Sequence, residues 1–180
     1  MIRVFDFVFS LLGLIFLSPL LILIWLIGLL DNGSPLFIQK RVGQNLKTFI
    51  LIKFRTMPIM TRSAGTHLIK DVKLTSFGYF IRRTKIDEIP QLFNVLIGNM
   101  SLVGPRPCLL SQRKLINERK KRGVYKVRPG ITGLAQILGI NMKTPTLLSK
   151  TDLKMIKKMS LFYYFYYILR TVFKLLGKYD

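Results

Sequence analysis

Among the eight carboxylates of the chain only Asp87 and Glu88 are adjacent, and they follow the cations Arg82, Arg83 and Lys85. Neighbouring side chains on a helix diverge by about 100°, so one acid can meet a substrate while the other binds metal or fixes position. The nearby cations favour an ionised Asp87, the form in which a carboxylate acts as a nucleophile. The pair also reads as the acidic first turn of a helix, where the macrodipole favours negative charge and no chemistry is implied. Two further stretches suit an anion. Pro105-Arg106-Pro107 holds one arginine between stiff residues, and Arg128-Pro129-Gly130-Ile131-Thr132-Gly133 offers backbone amides and a guanidinium to a phosphate. A structural corner and a tight turn would look the same. His67 reads as an exposed loop residue without a role. Cys108 is the only cysteine, which excludes an internal disulfide and a multi-cysteine metal site.

The elements that must position these residues are short. Leu36–Gln39 and Phe49–Phe54 read as strands around the polar loop Arg41–Asn45. Thr75–Ile86 reads as a helix, and Pro90 as a first-turn proline of a helix over Gln91–Ile97 that Gly98-Asn99 closes. Val103–Pro107 is stiff extended chain. Leu109–Lys126 reads as a basic helix, with eight Lys/Arg between Arg113 and Arg128 against one acid, Glu118. A strand is expected at Leu134–Leu138. The six aromatics Phe162–Tyr167 suit either an interfacial belt or a packed core helix.

The chain has 180 residues, 29 Lys+Arg and 8 Asp+Glu, a formal net charge of +21, and half its residues are apolar. One domain fits that length, and the apolar half excludes a disordered polyelectrolyte. Charge is segregated, because the 24 residues Phe7–Leu30 contain no ionisable side chain. A helix of that length reaches about 36 Å, enough for a hydrocarbon core of about 30 Å. Ser18-Pro19 lies near its centre, where proline removes one backbone hydrogen bond and kinks a helix. The Ser18 hydroxyl can satisfy the freed carbonyl. From the residues alone, a bent span and a re-entrant hairpin both remain open, and both leave the basic remainder in the cytoplasm. Beside such a segment, anionic lipid is a better partner for the cations than nucleic acid, for which no readable motif is present.

Taken together, Ser18-Pro19, Lys53-Phe54-Arg55-Thr56-Met57, Ile86-Asp87-Glu88-Ile89-Pro90-Gln91-Leu92-Phe93-Asn94, Met100–Pro107 and Lys126–Gly133 resemble the bacterial sugar transferase family. These are small monotopic phosphoglycosyl transferases acting on polyprenyl phosphate. The resemblance runs in order along nearly the whole chain. It implies an α+β fold in which 1–32 is a re-entrant membrane helix hairpin broken at Ser18 and Pro19. Residues 33–180 would then be a membrane-surface catalytic domain of amphipathic helices and short strands, on the cytoplasmic face of the bacterial inner membrane.

The resemblance also implies an activity: transfer of a sugar 1-phosphate from a UDP-sugar to undecaprenyl phosphate with release of UMP, the first membrane step of a bacterial surface glycan. Asp87 becomes the nucleophile, and Asp87 and Glu88 the Mg²⁺ ligands. Lys53, Arg55, Arg82, Gln91, Asn94, Arg106, Arg128 and Thr132 become candidate substrate contacts. Leu134 and Ile140 depart from the Trp and Arg that many members carry, so no contact by that arginine carries over. Met142–Pro145 and Leu147–Asp152 resemble a branch associated with N-acetylated 6-deoxyhexosamines such as QuiNAc or FucNAc. The competing reading, a membrane-anchored basic module for anionic lipid or nucleic acid, explains the charge but not the Asp-Glu pair.

Overall fold

The computed structural model describes residues 1–59, 74–175 and 177; His67 lies outside them. The fold is α+β, with two small sheets surrounded by helices. The apolar segment forms one helix, α1 (Ile2–Asn32), long and apolar enough to cross a membrane. It runs through Pro19 without interruption. The expected break is therefore a proline inside one helix rather than a gap between two helices. Pro19 has no amide for the Ile15 carbonyl, and the Ser18 hydroxyl donates to that carbonyl at 2.7 Å. Gly33, in the left-handed region at φ 67°, ends α1 by returning its amide to the Leu29 carbonyl.

Both halves of α1 rest on the same body. Near its start, the Arg3 guanidinium donates to the Val95 and Leu96 carbonyls at 2.5 and 2.7 Å. Asp6 is buried, and its Oδ1 accepts from the Ser101 hydroxyl, the Leu102 amide and the Tyr164 phenol at 2.9–3.0 Å. Further along, Ile24 packs with Phe54 and Ile81. The polar flank of the apolar run is thus hydrogen-bonded into the protein. Its burial is tolerable because three donors converge on one oxygen.

After α1, β1 (Leu36–Val42) and β2 (Thr48–Phe54) pair antiparallel, from Leu36 opposite Phe54 to Val42 opposite Thr48. The register sets Phe49, Leu51 and Lys53 opposite Arg41, Gln39 and Phe37, so all six share one face, on which Phe49 and Leu51 enter the core. α2 (Ser76–Arg83) starts at Thr75, whose hydroxyl accepts from the Gly78 amide at 2.8 Å and donates to Asp31 at 2.7 Å. It ends short of the expected Ile86, because Lys85 takes a left-handed φ of 61°. α3 (Gln91–Leu96) follows as read, with Pro90 before it.

β3 (Ser101–Val103) and β4 (Gly130–Thr132) form a parallel pair. Their backbones approach so closely that a Cβ on Gly130 would lie 2.0 Å from the Gly104 amide nitrogen. The glycine-rich stretch is therefore a strand contact, and the strand expected at Leu134–Leu138 is instead the short helix α5 (Leu134–Ile137). Pairing with β3 claims the preceding residues, a choice that local composition does not reveal. The basic helix is also shorter than expected: α4 spans Arg113–Lys121, and Gly123 at φ 68° ends it. Its Arg119 points inward and is 1% exposed.

Two helices complete the chain, α6 (Pro145–Lys157) and α7 (Leu161–Leu175). The aromatic run divides between two environments. Tyr164 and Tyr167 are buried, while Phe162 is exposed and the Phe165 ring meets the Phe5 ring edge-on at 5.3 Å.

Candidate active site

The two acids sit on a 3-10 turn, Ile86–Glu88, between α2 and α3. Left-handed Lys85 turns the chain sharply out of α2, so the pair is not on a regular helix. Asp87 is 4% exposed, and its Oδ1 has no hydrogen-bond partner among the described residues. Glu88 is held: its Oε1 accepts from Arg106 at 2.6 Å. Arg106 reaches it from the stiff chain that leaves β3, and Arg119 donates to the Arg106 carbonyl at 2.8 Å, anchoring that chain.

Electrostatics separate the two acids. Burial pushes the Asp87 carboxyl up, the charge of Glu88 adds to this, and Lys53, Lys85 and Arg82 pull it partly back. Burial also pushes Glu88 up, but the charge and hydrogen bond of Arg106, with Lys85 and Lys53, outweigh it and hold Glu88 below the usual range. Arg106 is raised in turn, chiefly by Glu88. Lys53 is lowered by burial, against the pull of both acids. One acid is thus engaged and the other keeps a buried oxygen unengaged, a division of roles suited to attack by Asp87.

These groups open onto a cavity of about 1080 Å³, also lined by Lys53, Arg55, Arg82 and Thr132. Its cations outnumber the acids, which suits a polyanion such as a diphosphate. Lys53 and Arg55 lie 5.3 and 5.6 Å from the centre of the Phe37 ring. Arg55 is largely committed to structure, with Nε donating to the Ser34 carbonyl at 2.9 Å. Thr132 shares a hydroxyl–hydroxyl hydrogen bond with Thr171.

Three of the expected contact residues lie outside the cavity lining. Asn94 pins α3 to β2, donating to the Ile50 carbonyl at 2.7 Å and accepting from the Ile52 amide at 3.1 Å. Arg128 donates to the Gly98 carbonyl at 2.8 Å, and Gln91 is buried. The structural alternative for the glycine-rich loop is the one realised: the Gly130 amide serves the Pro105 carbonyl, not a phosphate.

Other cavity residues escaped the sequence reading. Arg41 donates to the Pro107 carbonyl at 3.2 Å and to Gln39 at 2.6 Å, and its Nε is buried without a hydrogen-bond partner among the described residues. Burial, then the charge of Arg106, push its guanidinium down to about 10. The signal was available: Phe37, Gln39 and Arg41 alternate along β1. Asp152, outside the cavity lining, was read only as the end of the stretch Leu147–Asp152 and not as an ion-pair partner. It pairs with Arg119 in a sealed ion pair, with Arg119 Nε donating at 2.9 Å.

Among the described residues no group of three His, Cys, Asp or Glu could hold a metal by itself. Two carboxylates, one with an unengaged oxygen, still fit a hard divalent cation whose remaining ligands come from substrate phosphates and water.

The sequence as a whole has known relatives. A family described as bacterial sugar transferase matches residues 1–178. The chain is 44% identical to an uncharacterized sugar transferase, EpsL, of Bacillus subtilis, over 77% of this chain and 69% of that protein. It is 41% identical to a UDP-glucose:undecaprenyl-phosphate glucose-1-phosphate transferase of Klebsiella pneumoniae, over 81% of this chain and 32% of the relative. It is 38% identical to an undecaprenyl-phosphate galactose phosphotransferase of Salmonella typhimurium, over 77% of this chain and 33% of the relative. The chain thus spans about a third of the length of the two relatives with named substrates.

Proposed function

Because the chain belongs to the bacterial sugar transferase family, we propose that it moves a sugar 1-phosphate from a UDP-sugar to undecaprenyl phosphate and releases UMP. The observation that carries this reading is Asp87: a buried carboxylate with an unengaged oxygen, beside an engaged Glu88, in a cation-rich cavity. In the first displacement Asp87 attacks the phosphorus attached to the sugar, and the bond to UMP breaks. The lipid phosphate then attacks the same phosphorus, the bond to Asp87 breaks, and the carboxylate is regenerated. Arg106, Arg82 and Lys53 offset charge on the diphosphate throughout. Mg²⁺, held by Asp87 and Glu88 together with the diphosphate, would supply further charge neutralisation.

The same reading assigns the enzyme to the cytoplasmic face of the bacterial inner membrane, with α1 as its anchor and anionic lipid as the surface partner. Support comes from α1 itself, which has no ionisable side chain from Phe7 to Leu30 and touches the catalytic body with both halves. A re-entrant course would put both ends of α1 on one side. The sugar is proposed to be an N-acetylated 6-deoxyhexosamine. Ile140 and Met142 line the cavity and pack on the core, giving apolar surface beside Asn141 and Lys143, and apolar contact of that kind distinguishes a methyl from a hydroxymethyl modestly.

The test is UMP release. Mixing the enzyme with Mg²⁺ and a panel of UDP-sugars before any lipid is added should yield UMP in an amount close to that of the enzyme. Continuous turnover should follow when undecaprenyl phosphate is supplied. No release from any UDP-sugar, with or without lipid, would overturn the assignment.

A further inference from the structure

The cavity has a second stretch of wall with a different chemistry. Ile131, Ile137, Ile168, Val172 and Leu175 line it along β4, α5 and α7. Val172 and Leu175 are 47% and 50% exposed, so this wall opens to the outside. α7 is fixed there by two polar ties, the hydroxyl pair Thr171–Thr132 and the Lys174 ammonium, which donates to the Ile137 carbonyl at 2.7 Å. The first half of the same helix lies on α1, where the Phe165 ring is 5.3 Å from Phe5 and 6.1 Å from Phe9. One helix therefore runs from the apolar anchor into the wall of the reaction cavity.

Resting on the function proposed above, we propose that the wall between α5 and α7 is the passage for the first prenyl units of the lipid acceptor. A UDP-sugar brings only its uracil ring and, in a 6-deoxy sugar, one methyl to an apolar surface, too little for a wall that runs from β4 to the outer end of α7. The acceptor, by contrast, carries an apolar chain directly behind its phosphate. For that phosphate to reach Asp87, the nearest prenyl units must leave the hydrocarbon, and an apolar wall continuous with the cavity keeps them out of water. The passage would also cover Val172 and Leu175. The two substrates then meet at Asp87 from different walls, the donor along the cations and the acceptor along α7.

The full chain in lipid nanodiscs, carrying the double substitution Val172→Ser and Leu175→Ser, tests this. Both residues are half exposed, so the fold should tolerate the change. Three quantities are measured: stoichiometric UMP release without lipid, KM for a long-chain polyprenyl phosphate, and KM for a phosphate with a single prenyl unit. UMP release should match wild type, KM for the long acceptor should rise about tenfold, and KM for the short one, which meets the wall with one unit only, should rise less, by about two- to threefold. An intact UMP release with both KM values unchanged, or with both raised equally, would overturn the passage alone. Loss of UMP release in the variant but not in wild type would assign this wall to the nucleotide and overturn it too. A wild-type chain that releases no UMP before lipid would instead reject the two-displacement reading, and the passage with it. As a check independent of the variant, a diazirine-bearing prenyl phosphate should photolabel α7 in the wild-type chain; labelling confined to α1 would refute the passage.

Discussion

Asp87 and Asp152 invite comparison because their burial is so similar. Each is almost fully buried, each has one oxygen without a hydrogen-bond partner among the described residues, and burial raises the carboxyl of both. Their partners differ. Asp152 is locked by Arg119 in a pair whose side chains are 2% and 1% exposed, and Arg119 in turn holds the carbonyl of Arg106. Asp87 faces a cavity and several cations, but Oδ1 accepts no hydrogen bond. Burial alone therefore does not mark a catalytic acid. A bonded buried acid organises the chain around it, here through Arg119 to the carbonyl of Arg106, whose side chain holds Glu88, whereas the unbonded one faces a cavity with an oxygen unengaged.

The largest expected effect breaks the comparison at Asp87. Asp87→Asn should lower UMP release by about 10³-fold or more, measured by rapid quench, with circular dichroism unchanged. A folded variant that turns over near the wild-type rate would defeat the covalent mechanism. At the other aspartate, Asp152→Asn leaves the buried charge of Arg119 uncompensated and should cost about 3–5 kcal/mol of stability, read from denaturant unfolding in detergent. Next in size, Glu88→Gln frees Arg106 and removes one charge beside the diphosphate; turnover should fall about 10–100-fold while the protein remains folded.

The smaller effects sharpen the contrast. Asp87 has a folded-state carboxyl raised above its unfolded value, so its ionised form destabilises the fold, a penalty that sets in as pH rises through the unfolded value. Asp87→Asn should therefore stabilise the protein at neutral pH, with the gain vanishing in acid. Burial raises the Asp152 carboxyl as well, but there the ion pair decides the sign, because Asn removes the countercharge of a buried guanidinium held at 2.8 Å; Asp152→Asn should destabilise, and thermal unfolding of the two variants side by side checks this. Finally, Lys53 pulls the Asp87 carboxyl down. Lys53→Met should move the acid limb of the UMP-release profile to higher pH, and an unmoved limb would show that Lys53 does not act on Asp87.

The sequence reading succeeded where the signal was local. The β1–β2 hairpin, the Thr75 start of α2 and the Pro90 start of α3 follow from two short apolar runs around a polar loop, a residue able to cap and a first-turn proline. The Ser18 hydroxyl does serve the carbonyl that Pro19 leaves free. It failed where a distant partner decides. Leu134–Ile137 became a helix because Gly130–Thr132 had already paired with β3, and Asn94 and Arg128, read as substrate contacts, serve backbone carbonyls 30 to 44 residues away in sequence. Lys and Arg on α4 read as one surface, yet Arg119 is sealed against Asp152, 33 positions further on.

By itself the sequence determined the residue types: an adjacent acid pair, an excess of cations, an apolar segment with one proline, and motifs that indicate a family. Only the tertiary structure decided which acid is held and which is unengaged, which arginines face the cavity, and that α7 joins the anchor to the cavity wall. The physical reason is that charge type is a property of one residue, whereas burial and hydrogen-bond partnership belong to pairs distant in the chain. In this protein those partnerships separate the groups placed for chemistry from the groups that hold the fold.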